Sequence, residues 1–500
     1  MIGRKVAGRD EMSTSTKREQ YKMEEWSIKQ IQEALQNGEL TVVELVERYI
    51  ERIKQFDSSG PAINSVLNIN PDALNIAADM DKAMGSGEQG PLFGVPILLK
   101  DNIETKDPMP TTAGAIALKD NYAKKDSWVA KKLREAGAII LGKTNMSEWA
   151  YFMSTKAPSG YSGVGGQVKN PYGPENFEAG FVGGSSSGSG ASIASNFAVV
   201  SIGTETCGSI LNPSSLNSIV GIKPTVGLIS RSGIIPLALS QDTAGPMART
   251  VRDAAITLGV LTGVDPADPI TATSEGKALQ DYTKHLKMDG LKGATIGVDP
   301  RFLDRHDEET TELKEMLNIA MDELQNLGAV IKEVEVPEHD LSSDVLSYEF
   351  KHQVNQYLKT TSDSVPVKTL KDIIAFNEED PDNRMKYGQG LLVESEERSE
   401  SLENPVYLKQ RSDDVKLSGE LGIDKVMEEN GLDALLFLSD SGDELPAKAG
   451  YPSITVPAGY TKTGLPVGLT FSGLAYSEPK LIELAYSYEQ QTKRRVPPKF

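Results

Sequence analysis

Short apolar runs alternate with helical stretches through the first half of this chain, and this alternation constrains the fold most strongly. Three runs are typical of buried strands, namely PLFGVPILLK at 91–100, AIILG at 138–142 and AVVSIG at 198–203. The helical patterns DSWVAKKLREAG and ASIASNF separate them. Because such alternation builds largely parallel sheets that helices must cover, it predicts an α/β fold. We expect a single large domain with a mixed, mostly parallel β-sheet core covered by helices on both faces.

The rest of the chain extends this plan in both directions. N-terminal helices are predicted over 24–84, interrupted at Asn37-Gly38 and resumed at Thr41, which is followed by Glu44 as in a capping box. A core of about 90–275 is followed by a variable region of helices and long loops at about 340–415, and by core strands and a helix at about 430–495. Residues 1–20 are predicted as a disordered tail, so the domain covers 21–500. The later elements are predicted as helices at 251–261, 309–327, 413–429 and 478–492, and as strands in ATIGVD, VIKEVEV, ALLFLS, SITVPAG and VGLTFSG.

Charge and cysteine content restrict the possible partners. The 500 residues carry a net charge of −19, which argues against nucleic acid or an anionic membrane, because each favours a basic surface. No run approaches the roughly 20 apolar residues of a membrane helix. The single cysteine, Cys207, excludes an internal disulfide and is typical of a reducing compartment, so we expect a cytoplasmic protein. With four histidines and no C-x-x-C pair, we expect no metal and no other cofactor.

One motif match points to nucleotide binding. GAIILGKT at 137–144 fits the phosphate-loop pattern G-x-x-x-x-G-K-[ST]. That mechanism needs a strand, then a glycine-rich loop with free amides, then a helix. Here a helix precedes the motif and its variable residues are strand-like, so the context favours a strand over a phosphate loop.

A second match points to a serine nucleophile. GSSSG at 184–188 fits the esterase-type pattern G-x-S-x-G with Ser186 at its centre, but that serine needs a histidine base late in the chain. The histidines are His285, His306, His339 and His352, all in charged, helix-rich or loop-like surroundings.

A lysine could replace the missing histidine as base. Lys100 follows the apolar run Val-Pro-Ile-Leu-Leu, where burial would lower the pKa of its amine towards neutrality. A lysine at the end of a strand that extends its amine to water is the alternative.

Three segments in this order resemble the amidase signature family. They are GVPILLKDNI at 94–103, GGSSSGSGASI at 183–193 and GTETCGSILNPSSLNSIVGIKPT at 203–225, and the likeness extends over roughly 25–275 and 425–498. It is closest to the peptide-amidase-like branch. The resemblance implies the amidase signature fold and a Ser–cis-Ser–Lys triad, with Lys100 as base, Ser185 as relay and Ser209 as nucleophile.

Further roles follow from the same resemblance. It implies a cis peptide bond between Gly184 and Ser185, and an oxyanion hole formed by the main-chain N–H groups of Thr206, Cys207, Gly208 and Ser209. Ser186 becomes a hydrogen-bonding neighbour of the relay. The chain departs from the common family pattern around the nucleophile, with Glu205, Cys207 and Leu211 in place of Asp, Gly and Arg. We expect Cys207 to be a packed, inert thiol. Asn212-Pro213 is predicted as a helix N-cap followed by proline.

The sequence therefore predicts a cofactor-independent serine hydrolase that cleaves carboxylic amides through an acyl-enzyme. The expected partner is a small-molecule amide or a peptide C-terminal amide, and the expected oligomeric state is a monomer or homodimer. Two alternatives are a glutamine-hydrolysing subunit of a tRNA amidotransferase and, outside this class, a nucleotide-binding protein that uses GAIILGKT.

Overall fold

Eleven strands form one sheet that runs through the centre of the protein. The computed structural model describes residues 24–85, 89–303 and 308–500; the tail predicted over 1–20 lies outside them. The order across the sheet is β1-β3-β2-β6-β8-β7-β12-β13-β11-β9-β10, and β4 and β5 form a separate ribbon. The strands are β1 (Val66–Ile69), β2 (Pro96–Lys100), β3 (Ile139–Thr144), β4 (Tyr161–Ser162), β5 (Gly166–Gln167), β6 (Val200–Glu205), β7 (Val220–Lys223), β8 (Thr243–Ala248), β9 (Thr295–Val298), β10 (Val330–Glu333), β11 (Ala434–Leu438), β12 (Ser453–Tyr460) and β13 (Pro466–Ser472).

Pairing in the sheet is mixed. Parallel ladders join β3, β2 and β6 on one side, and β11, β9 and β10 on the other. Antiparallel ladders join the strands between these two groups, from β6 through β8, β7, β12 and β13 to β11, and add β1 at one edge. The predicted α/β class and mixed sheet are confirmed. The antiparallel centre was not predicted, because strand direction depends on partners that are distant in sequence.

Helices cover the sheet. They are α1 (Ile28–Gln36), α2 (Val42–Arg52), α3 (Ala73–Ala83), α4 (Trp128–Glu135), α5 (Ser187–Ala194), α6 (Leu211–Leu216), α7 (Val251–Leu261), α8 (Glu308–Asn326), α9 (Val345–Leu358), α10 (Leu370–Glu378), α11 (Pro381–Arg384), α12 (Gly390–Glu396), α13 (Pro405–Val415), α14 (Lys425–Asn430), α15 (Glu444–Ala449) and α16 (Glu478–Thr492). Helices α5 and α6 contact each other, and α5 packs on the parallel strands β2, β3 and β6, whereas α6 packs on the antiparallel strands β7, β12 and β13. Helices α4, α7 and α16 form a second group. The capping box of Thr41 and Glu44 is present at the start of α2, as predicted.

The region 340–415 contains helices α9 to α13, and its apolar side chains form a second buried cluster together with side chains from 113–153 and 235–238. Phe350 on α9 is fully buried and meets Trp149 edge to face, with 5.9 Å between the ring centroids. Trp149 belongs to the turn Glu148–Tyr151, in which three consecutive residues have positive φ. The helix predicted over 413–429 is longer than expected: α13, the π-helical segment Lys416–Asp424 and α14 follow one another without a break.

No helix in the described ranges combines the length and the apolar character that crossing a membrane requires.

Candidate active site

The pairing of β2 with β6 brings two distant segments together. The two strands are parallel, with Leu99 opposite Ile202, so both end at the same edge of the sheet. Lys100 is the last residue of β2 and Glu205 the last of β6. In parallel sheets the carboxyl ends of the strands line the site where ligands bind. The carboxyl ends of β2 and β6 therefore form a candidate active site.

Lys100 is fully buried, and its amine contacts three oxygen atoms. Its Nζ lies 2.6 Å from Ser185 Oγ, 3.0 Å from the Thr204 carbonyl oxygen and 2.9 Å from Thr204 Oγ1. Asn102 Nδ2 also donates to Thr204 Oγ1, at 3.0 Å. A neutral amine has two N–H groups and one lone pair. It can donate to both Thr204 oxygens and still accept the hydroxyl proton of Ser185.

Burial lowers the pKa of Lys100 from its ordinary 10.5 to about 7, which is the effect expected of an amine removed from water. The carboxyl groups of Asp242 and Glu205 act in the opposite direction and raise this pKa. No carboxylate makes an ion pair with Lys100 in the described part of the chain. In a large fraction of the molecules, the Lys100 amine is therefore uncharged near neutral pH.

The run GGSSSGSG at 183–190 is helical from Ser187 onwards, which is earlier than its glycine and serine content predicts. Helix α5 begins at Ser187, and all eight of its residues are buried. The carbonyl oxygen of Gly184 accepts hydrogen bonds from the hydroxyls of Ser147, Ser159 and Ser187, at 3.1, 2.8 and 2.6 Å. These contacts hold the start of the run rigidly, so it is neither a linker nor a free loop.

The cis peptide bond expected between Gly184 and Ser185 is absent, since no peptide bond among the described residues is cis. Gly184 instead turns the chain with a φ of 37°. A Cβ at Gly184 would lie 2.5 Å from Pro213 Cδ, so only glycine fits against α6.

Ser185 and Ser209 lie side by side in the interior. The N–H of Ser185 donates to Ser209 Oγ at 3.2 Å, and the N–H of Ser186 donates to the Ser209 carbonyl oxygen, also at 3.2 Å. The hydroxyl of Ser186 donates to the Thr204 carbonyl oxygen at 2.9 Å. The structure thus brings the three residues Lys100, Ser185 and Ser209 together, and gives Ser186 the neighbouring position expected of it.

The loop before α6 is anchored by Glu205. Its buried Oε2 accepts the N–H groups of Ile210 at 2.6 Å and Leu211 at 3.0 Å, and the N–H of Gly208 faces the same carboxyl group. Burial raises the pKa of Glu205, while Lys223 counteracts the shift. Of the predicted oxyanion donors, the main-chain N–H groups of Thr206, Cys207 and Ser209 donate to no other described residue. These three amides are free to meet a ligand.

Asn212 is not the N-cap of α6, contrary to expectation. The helix begins at Leu211, so Asn212 and Pro213 lie within its first turn. The side chain of Asn212 points back across the site, where its Oδ1 accepts the N–H of Gly184 at 2.7 Å. The part-buried N–H of Gly184 needs an acceptor, and this need explains the asparagine better than local capping does.

Cys207 is exposed rather than packed. Its Sγ lies 3.5 Å from Asp443 Oδ2. Although the residue reaches the surface, surrounding protein atoms partly desolvate its sulfur. This desolvation, together with the carboxyl groups of Asp443 and Glu205, raises the pKa of the thiol well above its usual value. The thiol is therefore protonated and a poor nucleophile at neutral pH.

GAIILGKT does not form a phosphate loop. Its residues 139–144 are strand β3, which pairs with β1 and β2, so its amides are within the sheet. Lys143 is buried, and its Nζ donates to the carbonyl oxygen of Ile103 and, at 2.9 Å, to Thr111 Oγ1. His306 lies outside the described residues, and the ring nitrogens of His285, His339 and His352 contact Glu483, Leu421 and Glu400 rather than Ser186.

Sequence reasoning missed several residues that shape this site. Thr204 and Asn102 position the amine of Lys100, and Asp242 accepts the hydroxyl of Thr206 at 2.6 Å. Asn102 and Thr204 stand within the motifs that carried the resemblance, but Asp242 is 36 residues from its partner. In the sequence it is a single carboxylate within the polar stretch Ser-Gln-Asp-Thr at 240–243, directly before the buried strand β8.

Comparisons with known proteins agree with this geometry. The Amidase family model matches residues 44–482. A probable amidase from Arabidopsis thaliana is 42% identical over 487 residues, or 96% of this chain and 92% of that protein. The structure of the native peptide amidase from Stenotrophomonas maltophilia is 43% identical, covers 96% of this chain and 99% of its own, and has a TM-score of 0.88. A glutamyl-tRNA(Gln) amidotransferase component from Microcystis aeruginosa is 40% identical over 313 residues, or 62% of this chain and 61% of that protein.

The likeness to amidases spans nearly the whole chain, whereas the likeness to the amidotransferase component covers less than two thirds of it. The chain thus belongs to the amidase signature family and is an amidase, a hydrolase that breaks the C–N bond of amides.

Proposed function

We propose that this protein hydrolyses peptide C-terminal amides or small aryl and alkyl amides through an acyl-enzyme formed on Ser209, with Ser185 as proton relay and Lys100 as base. One observation carries the proposal. The fully buried amine of Lys100, which has no ion-paired carboxylate among the described residues, lies 2.6 Å from the hydroxyl of Ser185, and the N–H of Ser185 contacts the hydroxyl of Ser209.

The proposed reaction starts with attack of Ser209 Oγ on the amide carbonyl carbon. The proton of Ser209 passes to Ser185 Oγ while the proton of Ser185 passes to Lys100 Nζ. When the tetrahedral intermediate collapses, the proton returns along the same path to the leaving nitrogen, the C–N bond breaks, and ammonia or an amine departs. Water then attacks the acyl carbon and gives a proton to the relay. The relay returns this proton to Ser209 Oγ as the bond between the acyl carbon and Ser209 Oγ breaks, and the carboxylic acid is released.

The negative charge of the tetrahedral intermediate needs hydrogen-bond donors. The free N–H groups of Cys207 and Ser209 suit this role, because they belong to the loop that presents the nucleophile. Donors held in place before the reaction each contribute about 3–4 kcal/mol to such sites. Thr206 and Gly208 complete the proposed oxyanion loop, although the Gly208 N–H faces Glu205 in the resting enzyme.

A cavity of about 430 Å³ beside this loop suits the proposed substrates. Asn212, three residues after Ser209, lines it together with apolar side chains that include Phe181, Phe302 and Leu465. The volume lies in the range of small-molecule sites. The lining combines these apolar side chains with polar ones that include Ser215 and Asp440. The cavity would accept the side chain of a peptide amide or an aryl group.

Ammonia release by the purified chain alone tests the proposal. The substrates are amidated peptides, small aryl and alkyl amides, and glutamine, and the enzyme is compared with its Ser209→Ala variant and with Ser192→Ala. Ser192 is a matched control, a buried serine of α5 whose hydroxyl bonds only to the Ser189 carbonyl oxygen in the described chain. We expect hydrolysis and a burst of acyl-enzyme with the wild type and Ser192→Ala, and neither with Ser209→Ala.

Three results would contradict the proposal. Turnover or covalent labelling that persists in Ser209→Ala would mean a different nucleophile. Activity towards glutamine that appears only with partner proteins would favour the amidotransferase alternative. Saturable nucleotide binding without amide hydrolysis would favour the nucleotide-binding alternative.

A further inference from the structure

We propose that Gln241 is a positioning residue that aims the N–H of Cys207 at the oxyanion of the tetrahedral intermediate. This inference rests on the proposed function and adds a residue outside the triad and the oxyanion loop. Gln241 lies in the turn before β8, 32 residues after Ser209, and its side chain is only 2% exposed.

The contact that carries the inference is a single hydrogen bond to the main chain of the loop. Gln241 Nε2 donates to the carbonyl oxygen of Thr206 at 3.2 Å. In a trans peptide unit the C=O and the following N–H point in opposite directions. Holding the Thr206 carbonyl on one side therefore directs the Cys207 N–H to the other side, where it has no partner among the described residues.

The next residue, Asp242, holds Thr206 at a second point, the side-chain hydroxyl. Asp242 Oδ1 accepts the hydroxyl of Thr206 at 2.6 Å, and its Oδ2 accepts the N–H groups of Leu237 and Ala238 at 2.8 and 3.0 Å. The main-chain N–H of Gln241 donates to the Ala238 carbonyl oxygen at 3.0 Å. The turn 237–242 is thus internally braced, so it can act as a fixed support for Thr206.

The opposite end of the loop has its own anchor. Glu205 holds the N–H groups of Ile210 and Leu211, as described above. Between the two anchors, the peptide unit of Thr206 and Cys207 could rotate about its flanking bonds, and only Gln241 restrains its carbonyl oxygen in the described chain. Because a donor must be oriented before charge develops, this restraint belongs to catalysis and not merely to folding.

The test replaces Gln241 by methionine, which keeps the length of the side chain and removes the amide. Gln389→Met is the matched control. Gln389 is also buried, and its Nε2 also donates to a carbonyl oxygen, that of Ile374 at 3.2 Å, in the variable region. For both variants we measure kcat, KM, the midpoint of thermal unfolding and the affinity for a peptide aldehyde, which forms a tetrahedral adduct with a serine.

For Gln241→Met we expect kcat to fall about 10- to 100-fold, because a misdirected donor loses part of the roughly 10²–10³-fold effect of removing one. KM should change less than about twofold, and aldehyde affinity should fall by the same factor as kcat. The pH at half-maximal rate should stay unchanged, since Lys100 is not touched. Gln389→Met should keep wild-type kcat and aldehyde affinity.

The inference is wrong if Gln241→Met keeps kcat within about twofold of the control variant, or if kcat falls while aldehyde affinity does not. Its failure is distinct from failure of the proposed function. An inactive Ser209→Ala with a fully active Gln241→Met overturns only the positioning role, whereas an active Ser209→Ala overturns the nucleophile itself.

Discussion

Replacing Lys100 by methionine should abolish activity and at the same time stabilise the fold. The pKa of Lys100 is about 7 in the folded protein against an ordinary 10.5, and this difference corresponds to about 5 kcal/mol of unfavourable burial for the charged form. Below pH 7 both the folded and the unfolded chain bind the proton, and the full cost applies. Above about pH 10.5 neither binds it, and the cost disappears. At pH 7, where half of the folded molecules are neutral, about 4 kcal/mol remains.

Methionine removes this cost but also removes hydrogen bonds. Thr204 keeps partners for both of its oxygens, because Ser186 donates to its carbonyl oxygen and Asn102 to its hydroxyl. Only the hydroxyl of Ser185 loses a buried partner, which costs about 1–3 kcal/mol. The variant loses the hydrogen bond of Ser185, about 1–3 kcal/mol, but is relieved of the burial cost of the amine, about 4 kcal/mol at pH 7. The free energy of unfolding at pH 7 should therefore rise by about 1–3 kcal/mol.

The assay is thermal unfolding of wild type and Lys100→Met between pH 6 and pH 10, beside amide hydrolysis at each pH. Lys143→Met is the matched control. Lys143 is also buried, and burial lowers its pKa to about 8, but it faces the buried carboxyl group of Asp101. Removing it leaves that carboxyl without a countercharge, so this variant should lose stability.

The reasoning is refuted if Lys100→Met unfolds at a lower temperature than wild type at pH 7, or if the gain does not shrink as the pH approaches 10. Either result would mean that the Lys100 amine is charged in the folded protein and that its surroundings stabilise this charge. Full turnover by Lys100→Met would show that another group acts as base.

Two further predictions concern the pH profile and the loop. Because the base must be neutral, kcat for amide hydrolysis should rise through pH 7 and reach a plateau, with about one tenth of the plateau rate at pH 6; a flat profile from pH 5 to 9 would argue against Lys100. Gly208→Ala should lower kcat at least about 100-fold and destabilise the fold by about 1 kcal/mol or more, because Gly208 has a φ of 72° and a Cβ there would lie 2.5 Å from Asp443 Oδ2. Kinetics and thermal unfolding of this variant, with Gly276→Ala as a control glycine of similar φ in open space, check that prediction.

Elements with strong local signals were predicted closely. Helix α16 spans the predicted Glu478–Thr492, and α7 spans the predicted Val251–Leu261. Both depend on periodicity within one segment, which the sequence displays directly. The start of α5 at Ser187 was missed, because four Gly/Ser residues have low helix propensity and only tight packing of the buried helix overrides it.

Three predictions at the site were wrong, since Cys207 is exposed rather than packed and two expectations for the backbone near Gly184 and Asn212 also failed. Asn212 was expected to cap its own helix, yet it serves Gly184, 28 residues earlier. The cis bond at Gly184 was expected from the family resemblance, yet a glycine turn takes its place. Local patterns cannot reveal which distant amide a buried side chain must satisfy.

The sequence alone determined the α/β class and the alternation of strands and helices, because periodicity is a local property. Its resemblance to the amidase signature family also pointed to Lys100, Ser185 and Ser209 as candidates. Only the tertiary structure decided the environment of Lys100. Burial under the packed sheet lowers the pKa of its amine, and the carboxyl groups of Asp242 and Glu205 counteract this shift. Its hydrogen-bond partners Thr204 and Ser185 lie 104 and 85 residues away in the sequence. Dielectric surroundings and countercharges are properties of packing, and packing is set by contacts between segments that are far apart in the chain.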